Sequence, residues 1–478
     1  MPVDPAQTLA EADGLRHHDR EHALRLYARL DPALVFEEVE RREWVVDQLG
    51  SNPVEELRPF LRYGIEHGSG VDQRRCIHHL ALSHWYGFEV HEARALWSRA
   101  VEIGRTERDH LWLFGIVNLS LVHTREGRVF EALPLIGLAR SEAQRLGDLA
   151  TVAFTAMRHG AVMVELTEWE LAERSFLEAE QLLDQVSNER RRGVVTAEIH
   201  AFRARMACAR HDCRRAHEET MRQIRALDAL GRDAEPSLVV GAHSHRIKHA
   251  FSLARNTADR RRLLEELRAV PENYPFDERW RPIWEFDVRW AEFEFARREE
   301  QGTEALLETS RGLVEAVIPV FEGEERIERL IYLGERFEEA GAPDEARRAY
   351  RLAADTAVDR IGAMRVSLEH SADLVEPSVE DRQVFARATD RLAERYRVIA
   401  DALQDLFVPG EPMHDWIIGD RETLRACGWC RRIHTNSDTW VPVSQYLPPA
   451  EASRVSHGIC PECARDQSGR ERTETVGV

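Results

Sequence analysis

The sequence predicts an all-α chain, an array of helical hairpins that ends in a small cysteine-bearing module. Three observations carry this expectation. Breaker residues are sparse: 27 Gly and 19 Pro are spread over 478 residues, which favours long helices over the many turns of an all-β fold. A helix–turn–helix pattern recurs at a near-constant spacing. Near the C-terminal end, two Cys-x-x-Cys pairs stand in a segment with little apolar content of its own.

The clearest copy of the repeat runs from 331 to 357. Tyr332, Leu333, Phe337 and Ala340 share one face of a first helix, and Gly341-Ala342-Pro343-Asp344 makes the turn. Ala346, Ala349, Tyr350 and Ala353 then form the inner face of a second helix. Small residues let the two helices approach and aromatic ones fill the gaps. Other turns fall near Gly87, Gly127, Trp169, Asp212, Asn256 and Gly302, at spacings of 40, 42, 43, 44 and 46, with 39 more to Gly341. A period of that length marks a solenoid, whose hairpins bury their apolar faces only by stacking on neighbours. Within 110–150, Leu111, Phe114, Val117 and Leu121 lie close to one helical stripe. Gly127 supplies a left-handed cap before Ala132, Leu135, Ile136 and Ala139 begin the next face.

The runs Tyr332-Leu333-Gly334, Glu345-Ala346, Ala349-Tyr350 and Ala353 resemble the tetratricopeptide family over about residues 70–360, with an elongated repeat like that of bacterial regulatory proteins. The resemblance implies a right-handed superhelix whose concave surface binds peptides or partner proteins, and no catalysis. Residues 1–70 read as an N-terminal helical cap, 71–407 as the solenoid and 408–423 as a linker around Val408-Pro409-Gly410-Glu411-Pro412. Residues 424–466 read as the cysteine module and 467–478 as a disordered tail. The end of the solenoid, 361–407, reads as a capping helix with Leu392, Tyr396, Ile399 and Leu403 nearly on one stripe.

Cys427-Gly428-Trp429-Cys430 and Cys460-Pro461-Glu462-Cys463 are the strongest chemical signal. A Cys-x-x-Cys turn sets two thiolates on one edge of a tetrahedron, and two such turns close a four-thiolate structural zinc site. Metal binding worth about 10 kcal/mol or more would fold a segment that lacks its own core. The 29 residues between Cys430 and Cys460 should hold a small hairpin or loop. His434 and His457 are alternative ligands ranked below the four cysteines. A redox role is disfavoured because neither pair follows a strand in a βαβ setting. Cys427, Cys430, Arg432, Ile433, Trp440, Tyr446 and the run Ser456-His457-Gly458-Ile459-Cys460-Pro461-Glu462-Cys463 resemble a C-terminal extension found on bacterial signalling proteins. That resemblance implies a signalling context rather than an activity.

Composition excludes several classes. The formal charge is -19, so phosphate backbones and acidic membranes are repelled. Residues 409–478 hold 8 Arg against 10 Asp plus Glu, with no basic stripe for a nucleic acid to follow. No apolar run nears the roughly 20 residues that span a bilayer. Met1-Pro2-Val3-Asp4-Pro5 has neither a basic nor an apolar signal region, so the expected compartment is the cytoplasm. Lys248 is the only lysine, which rules out a GxxxxGK[ST] phosphate loop. There is no HExxH, GxSxG or GxGxxG.

Smaller clusters are read as structural. His245 and His249 sit one helical turn apart with no third metal ligand in view, and His243 lies nearby. Cys208, His211 and Cys213 flank a repeat turn. Within the aromatic-rich stretch 274–295, Trp280, Trp284 and Trp290 are the candidate partner-binding residues, with core packing as the alternative. The resulting expectation is an interaction protein, not an enzyme: a scaffold or regulatory adaptor that binds a protein partner in the solenoid groove and uses the zinc module as a second docking element. DNA contact through the zinc module is the competing reading. An enzyme with an unrecognised groove site would return to consideration if the fold held a buried, strongly perturbed Cys-His or carboxylate pair.

Overall fold

The computed structural model describes residues 4–48, 55–86, 89–231, 234, 236–274, 276, 281–299, 312–320, 323–374 and 378–405, together with four short strands at 424–427, 432–434, 440–442 and 455–458. The described part of 1–70 is helical: α1 (Pro5–Leu15), α2 (Arg20–Tyr27), α3 (Pro32–Glu37), α4 (Val39–Gln48), a 3-10 turn at Glu55–Leu57 and α5 (Arg58–His67). Asp4, Asp19 and Asp31 cap the first three by accepting from the backbone N–H groups of Ala6, His22 and Ala33. Tyr27, Phe36, Phe60 and Leu61 form a core that continues into Cys76, Ile77 and Leu80 of the first hairpin.

Five hairpins follow: α6 (Gly70–Tyr86) with α7 (Val90–Gly104), α8 (His110–Arg125) with α9 (Val129–Leu146), α10 (Leu149–Glu165) with α11 (Trp169–Leu183), α12 (Glu189–Ala209) with α13 (Cys213–Leu230), and α14 (Pro236–Leu253) with α15 (Thr257–Arg268). Then come α16 (Val270–Asn273), α17 (Arg281–Arg298), α18 (Leu313–Val320), α19 (Gly323–Glu339), α20 (Pro343–Leu374) and α21 (Val379–Asp405). The protein is therefore a helical-hairpin solenoid. Among the described residues no helix is long and apolar enough to cross a membrane.

One turn geometry is stamped repeatedly into the backbone. Gly127, Thr167, His211 and Gly341 all have positive φ, between 55° and 74°. After each, the next N–H donates to a carbonyl five residues back: Arg128 to His123, Glu168 to Met163, Asp212 to Ala207 and Ala342 to Phe337, at 2.8–2.9 Å. This is the left-handed cap that consumes the orphan carbonyls of a helix end and aims the chain into the next helix. Nine residues after that turn the second helix presents Phe176 or Tyr350, and seven before it the first helix has Gly160 or Gly334. A Cβ on Gly160 would lie 2.4 Å from the Phe176 ring, and one on Gly334 2.7 Å from Tyr350. Glycine is required at both places by close approach. Leu333, Phe337, Ala346, Ala349, Tyr350 and Ala353 are buried as their spacing predicts.

The stripe expected on α8 is only part of its buried surface. Leu111, Phe114 and Leu121 are half-exposed, whereas Trp112, Leu113, Ile116, Leu119 and Val122 are buried. A first helix packs on its own partner and on both neighbouring hairpins, so one stripe cannot describe it.

The chain divides into two compact units, 1–284 with 366–384 and 285–365 with 385–478. Residues 366–384 thus belong to the first unit rather than simply closing the last repeat. Ser367 Oγ accepts the Glu131 N–H at 3.0 Å in the first turn of α9, a helix whose own N-cap residue, Arg128, makes no side-chain cap bond. A side chain 236 residues away does the capping. In the second unit the strands β1 (Leu424–Cys427), β2 (Arg432–His434), β3 (Trp440–Pro442) and β4 (Val455–Gly458) form a sheet of order β3-β2-β1-β4. The antiparallel β2–β3 pair is the small hairpin expected between the two cysteine pairs.

Candidate functional site

In the first unit the first helices touch one another directly, α10 reaching both α8 and α12, which makes them the inner layer of the stack. Charged pairs cross that layer. Asp148 caps α10 by accepting from the Thr151 N–H at 3.0 Å and reaches Arg191 of α12 at 3.6 Å. Burial pushes the Asp148 carboxyl up, but hydrogen bonds from Thr151 and the charge of Arg191 outweigh it and hold the group below the usual range. Arg205 of α12 donates to Glu165 at the end of α10, at 3.1 Å. Arg158 of α10 stands 3.9 Å from Glu198 of α12. Burial lowers the Arg158 guanidinium against the opposing pull of Glu198 and Glu165. Its Nε is buried without a hydrogen-bond partner among the described residues.

Between the two layers, Arg203 is clamped by Glu173 at 2.7 Å and Glu180 at 2.9 Å and lies over the Phe176 ring at 6.0 Å. Burial alone would lower it; the two carboxylates reverse the sign and raise it. His200 meets Glu219 of α13 at 2.8 Å.

The next junction gathers residues from two separate sequence clusters. Cys208 Sγ of α12 lies 2.9 Å from Nε2 of His249 of α14, and His249 Nδ1 lies 3.2 Å from Thr220 Oγ1 of α13. His249 is buried. It stacks on His245 with ring centroids 6.2 Å apart, while His243 stacks on Tyr274 at 4.0 Å. No group of three or more His, Cys, Asp or Glu side chains among the described residues could hold a metal ion. His211 instead occupies the left-handed turn position. One signal was available in the sequence: Cys208 and His249 are 41 residues apart, one repeat, which sets them at similar heights on successive first helices.

Of the cysteines assigned to zinc, Cys427 ends β1, and Cys430, Cys460 and Cys463 lie outside the described residues. β1 and β4 pair in parallel with Cys427 opposite Gly458, two positions before Cys460 in sequence. Trp280 also lies outside the described residues. Trp284 is half-buried, donating its Nε1–H to the Leu267 carbonyl at 2.8 Å and meeting the Phe276 ring edge-on at 5.9 Å. Trp290, also half-buried, packs between Phe286 at 5.7 Å and Tyr332 at 4.9 Å, under the Arg329 guanidinium.

No protein-family model matches the chain, and no curated protein matches it. Solved structures do. A crystal structure of NprR in complex with its cognate peptide NprX covers 74% of this chain and 99% of its own, at 12% identity and a TM-score of 0.48. The apo form of the quorum sensor NprR from B. thuringiensis covers 83% and 98%, at 10% identity and a TM-score of 0.35. A circular tandem repeat protein with novel repeat topology covers 84% and 96%, at 16% identity and a TM-score of 0.18.

Proposed function

We propose that this protein is a regulatory adaptor that binds an extended segment of a partner protein along the inner layer of its first unit, and that Cys427, Cys430, Cys460 and Cys463 hold a structural zinc ion. The observation that carries the binding reading is the set of charged pairs between α10 and α12. Asp148–Arg191, Arg158–Glu198 and Arg205–Glu165 place both signs of charge side by side. The side chains keep between 14% and 46% of their surface open to solvent. Such groups can exchange one another for the backbone and side chains of a peptide without leaving a charge unpaired. The unmatched Arg158 Nε is a donor for which an incoming carbonyl or carboxylate would be the acceptor.

Zinc is supported by the register of β1 on β4. Parallel pairing sets Cys427, the first ligand of one pair, opposite Gly458, which precedes the first cysteine of the other pair by two positions in sequence. The likeness of this module to extensions on bacterial signalling proteins makes a signalling setting the natural context.

Selection of peptides from a displayed random library against the full chain tests the binding reading. Selected peptides should lose at least tenfold in affinity with Arg205→Glu. Equal affinity for the variant, or no enrichment at all, contradicts it. Metal analysis of the purified chain should return one zinc per chain, lost with Cys427→Ser. A metal-free chain that retains its β structure contradicts the zinc assignment.

A further inference from the structure

We propose that Cys208 is an activated thiol, a site of oxidation by hydroperoxides, with His249 as its base and Thr220 as the residue that orients the base. The hydrogen-bond network carries the assignment. Thr220 is completely buried and donates its single hydroxyl proton to the Ala216 carbonyl at 2.9 Å. Its oxygen can then only accept, so the proton of neutral His249 sits on Nδ1 and points at Thr220. Nε2 is left with its lone pair facing Cys208 Sγ at 2.9 Å, the position from which an imidazole takes a thiol proton. Nucleophile, base and orienting hydroxyl come from α12, α14 and α13, so the constellation exists only where two consecutive hairpins meet.

The repeat itself marks Thr220 as an exception. Nine residues after the left-handed turn position the other hairpins place Ile136, Phe176 or Tyr350. Among the described hairpins with this left-handed turn, only this one gives that slot to a hydroxyl, and only here does a histidine from the next hairpin use it. Cys208 is also half-exposed, so a small oxidant can reach it. Cys76 is the contrast. It is buried against Gly64, and burial pushes its thiol up to about 12, with Asp72 adding to the rise.

The step balances. Cys208 passes its proton to His249 Nε2. The thiolate sulfur attacks the terminal oxygen of ROOH, the S–O bond forms and the O–O bond breaks. The alkoxide RO⁻ leaves and takes the proton from Nε2 to become ROH. The sulfur is oxidised by two electrons to the sulfenic acid, the peroxide is reduced, and His249 returns to its neutral form.

The test treats the intact chain with hydrogen peroxide, traps sulfenic acid with dimedone and maps the adduct by peptide mass spectrometry. Iodoacetamide labelling rates of Cys208 and of Cys213, which is also half-exposed, are followed in parallel. Dimedone should be found on Cys208 and not on Cys76. His249→Asn should slow Cys208 alkylation at least tenfold and leave Cys213 unchanged. Thr220→Val should slow it severalfold, and Thr220→Ser should restore it. If His249→Asn perturbs folding, faster labelling of Cys76 will report it, and the Thr220 pair then decides. An unchanged Cys208 rate in folded His249→Asn, equal rates in the two Thr220 variants, or no Cys208 adduct overturns the proposal.

Discussion

Hairpin α10–α11 and the junction of α12 and α13 with α14 share one backbone and differ in what they put inside it. Both turn through a left-handed residue, Thr167 in one and His211 in the other, with the same pattern of capping bonds. In the first, Gly160 makes room and Phe176 fills it. In the second, the corresponding positions are Ala204 and Thr220, and the space is completed by the His249 side chain from the next hairpin. The geometry of the turn therefore fixes the hairpin, and the slot behind it is free to be apolar or polar. Where it is apolar the hairpin is a spacer; where it is polar the neighbouring hairpin has to supply a partner, and a chemically distinct junction results.

The largest effect should come from emptying the apolar slot. Phe176→Ala should cost about 3–5 kcal/mol, because Gly160 cannot grow to fill the void; urea unfolding measures it. A cost near zero would mean that the slot is not the core of the hairpin.

Acid should come next, and it acts through two histidines held neutral by the groups packed around them. His78 and His123 are pushed down to about 3, chiefly by burial, helped by His79 in the first case and by Arg128 and Arg94 in the second. Glu131 lies 3.8 Å from His123, but its carboxylate is taken by Arg128 at 2.8 Å, so no anion is left to favour an imidazolium. Unfolding raises both groups toward about 6.5, so the unfolded chain binds more protons between roughly pH 6.5 and 3. Their stabilisation is complete above about pH 6.5 and is lost as pH falls through that window. Melting temperature should drop by several degrees between pH 7 and pH 5, and by less in His123→Gln. A flat profile would contradict the buried, neutral assignment.

Thr220→Val comes third. It leaves His249 Nδ1 buried with no acceptor, at a cost of about 1–3 kcal/mol, whereas Thr155→Val in α10 removes a hydroxyl that serves only its own helix and should cost less. Equal costs would erase the distinction between the two regions. The smallest effect is a gain. Thr167→Gly and His211→Gly relieve a left-handed backbone strained for a side chain and should each add up to about 1 kcal/mol.

Much of this was legible in the sequence because a repeat writes its geometry at fixed intervals. Gly127, Gly341 and Asp212 announced their turns, and the small-aromatic pairs announced the close approaches. The left-handed positions at Thr167 and His211 were not legible, since neither residue type prefers them; the surrounding helices impose the conformation. The capping of Glu131 by Ser367 could not be read from local pattern at a separation of 236 residues. The strands at 424–458 are three or four residues long, too short for alternation to speak. The Cys208–His249 pair reads as two unrelated clusters in the sequence, and the stacking of α12 on α14 brings them together.

Hydrogen–deuterium exchange on the full chain, with and without a library-selected peptide, tests the central claim of inner-layer binding most directly. Protection of α10 and α12, with α11 and α13 unchanged, is the result this account requires. Protection confined to the second helices or to residues 424–458 would contradict it.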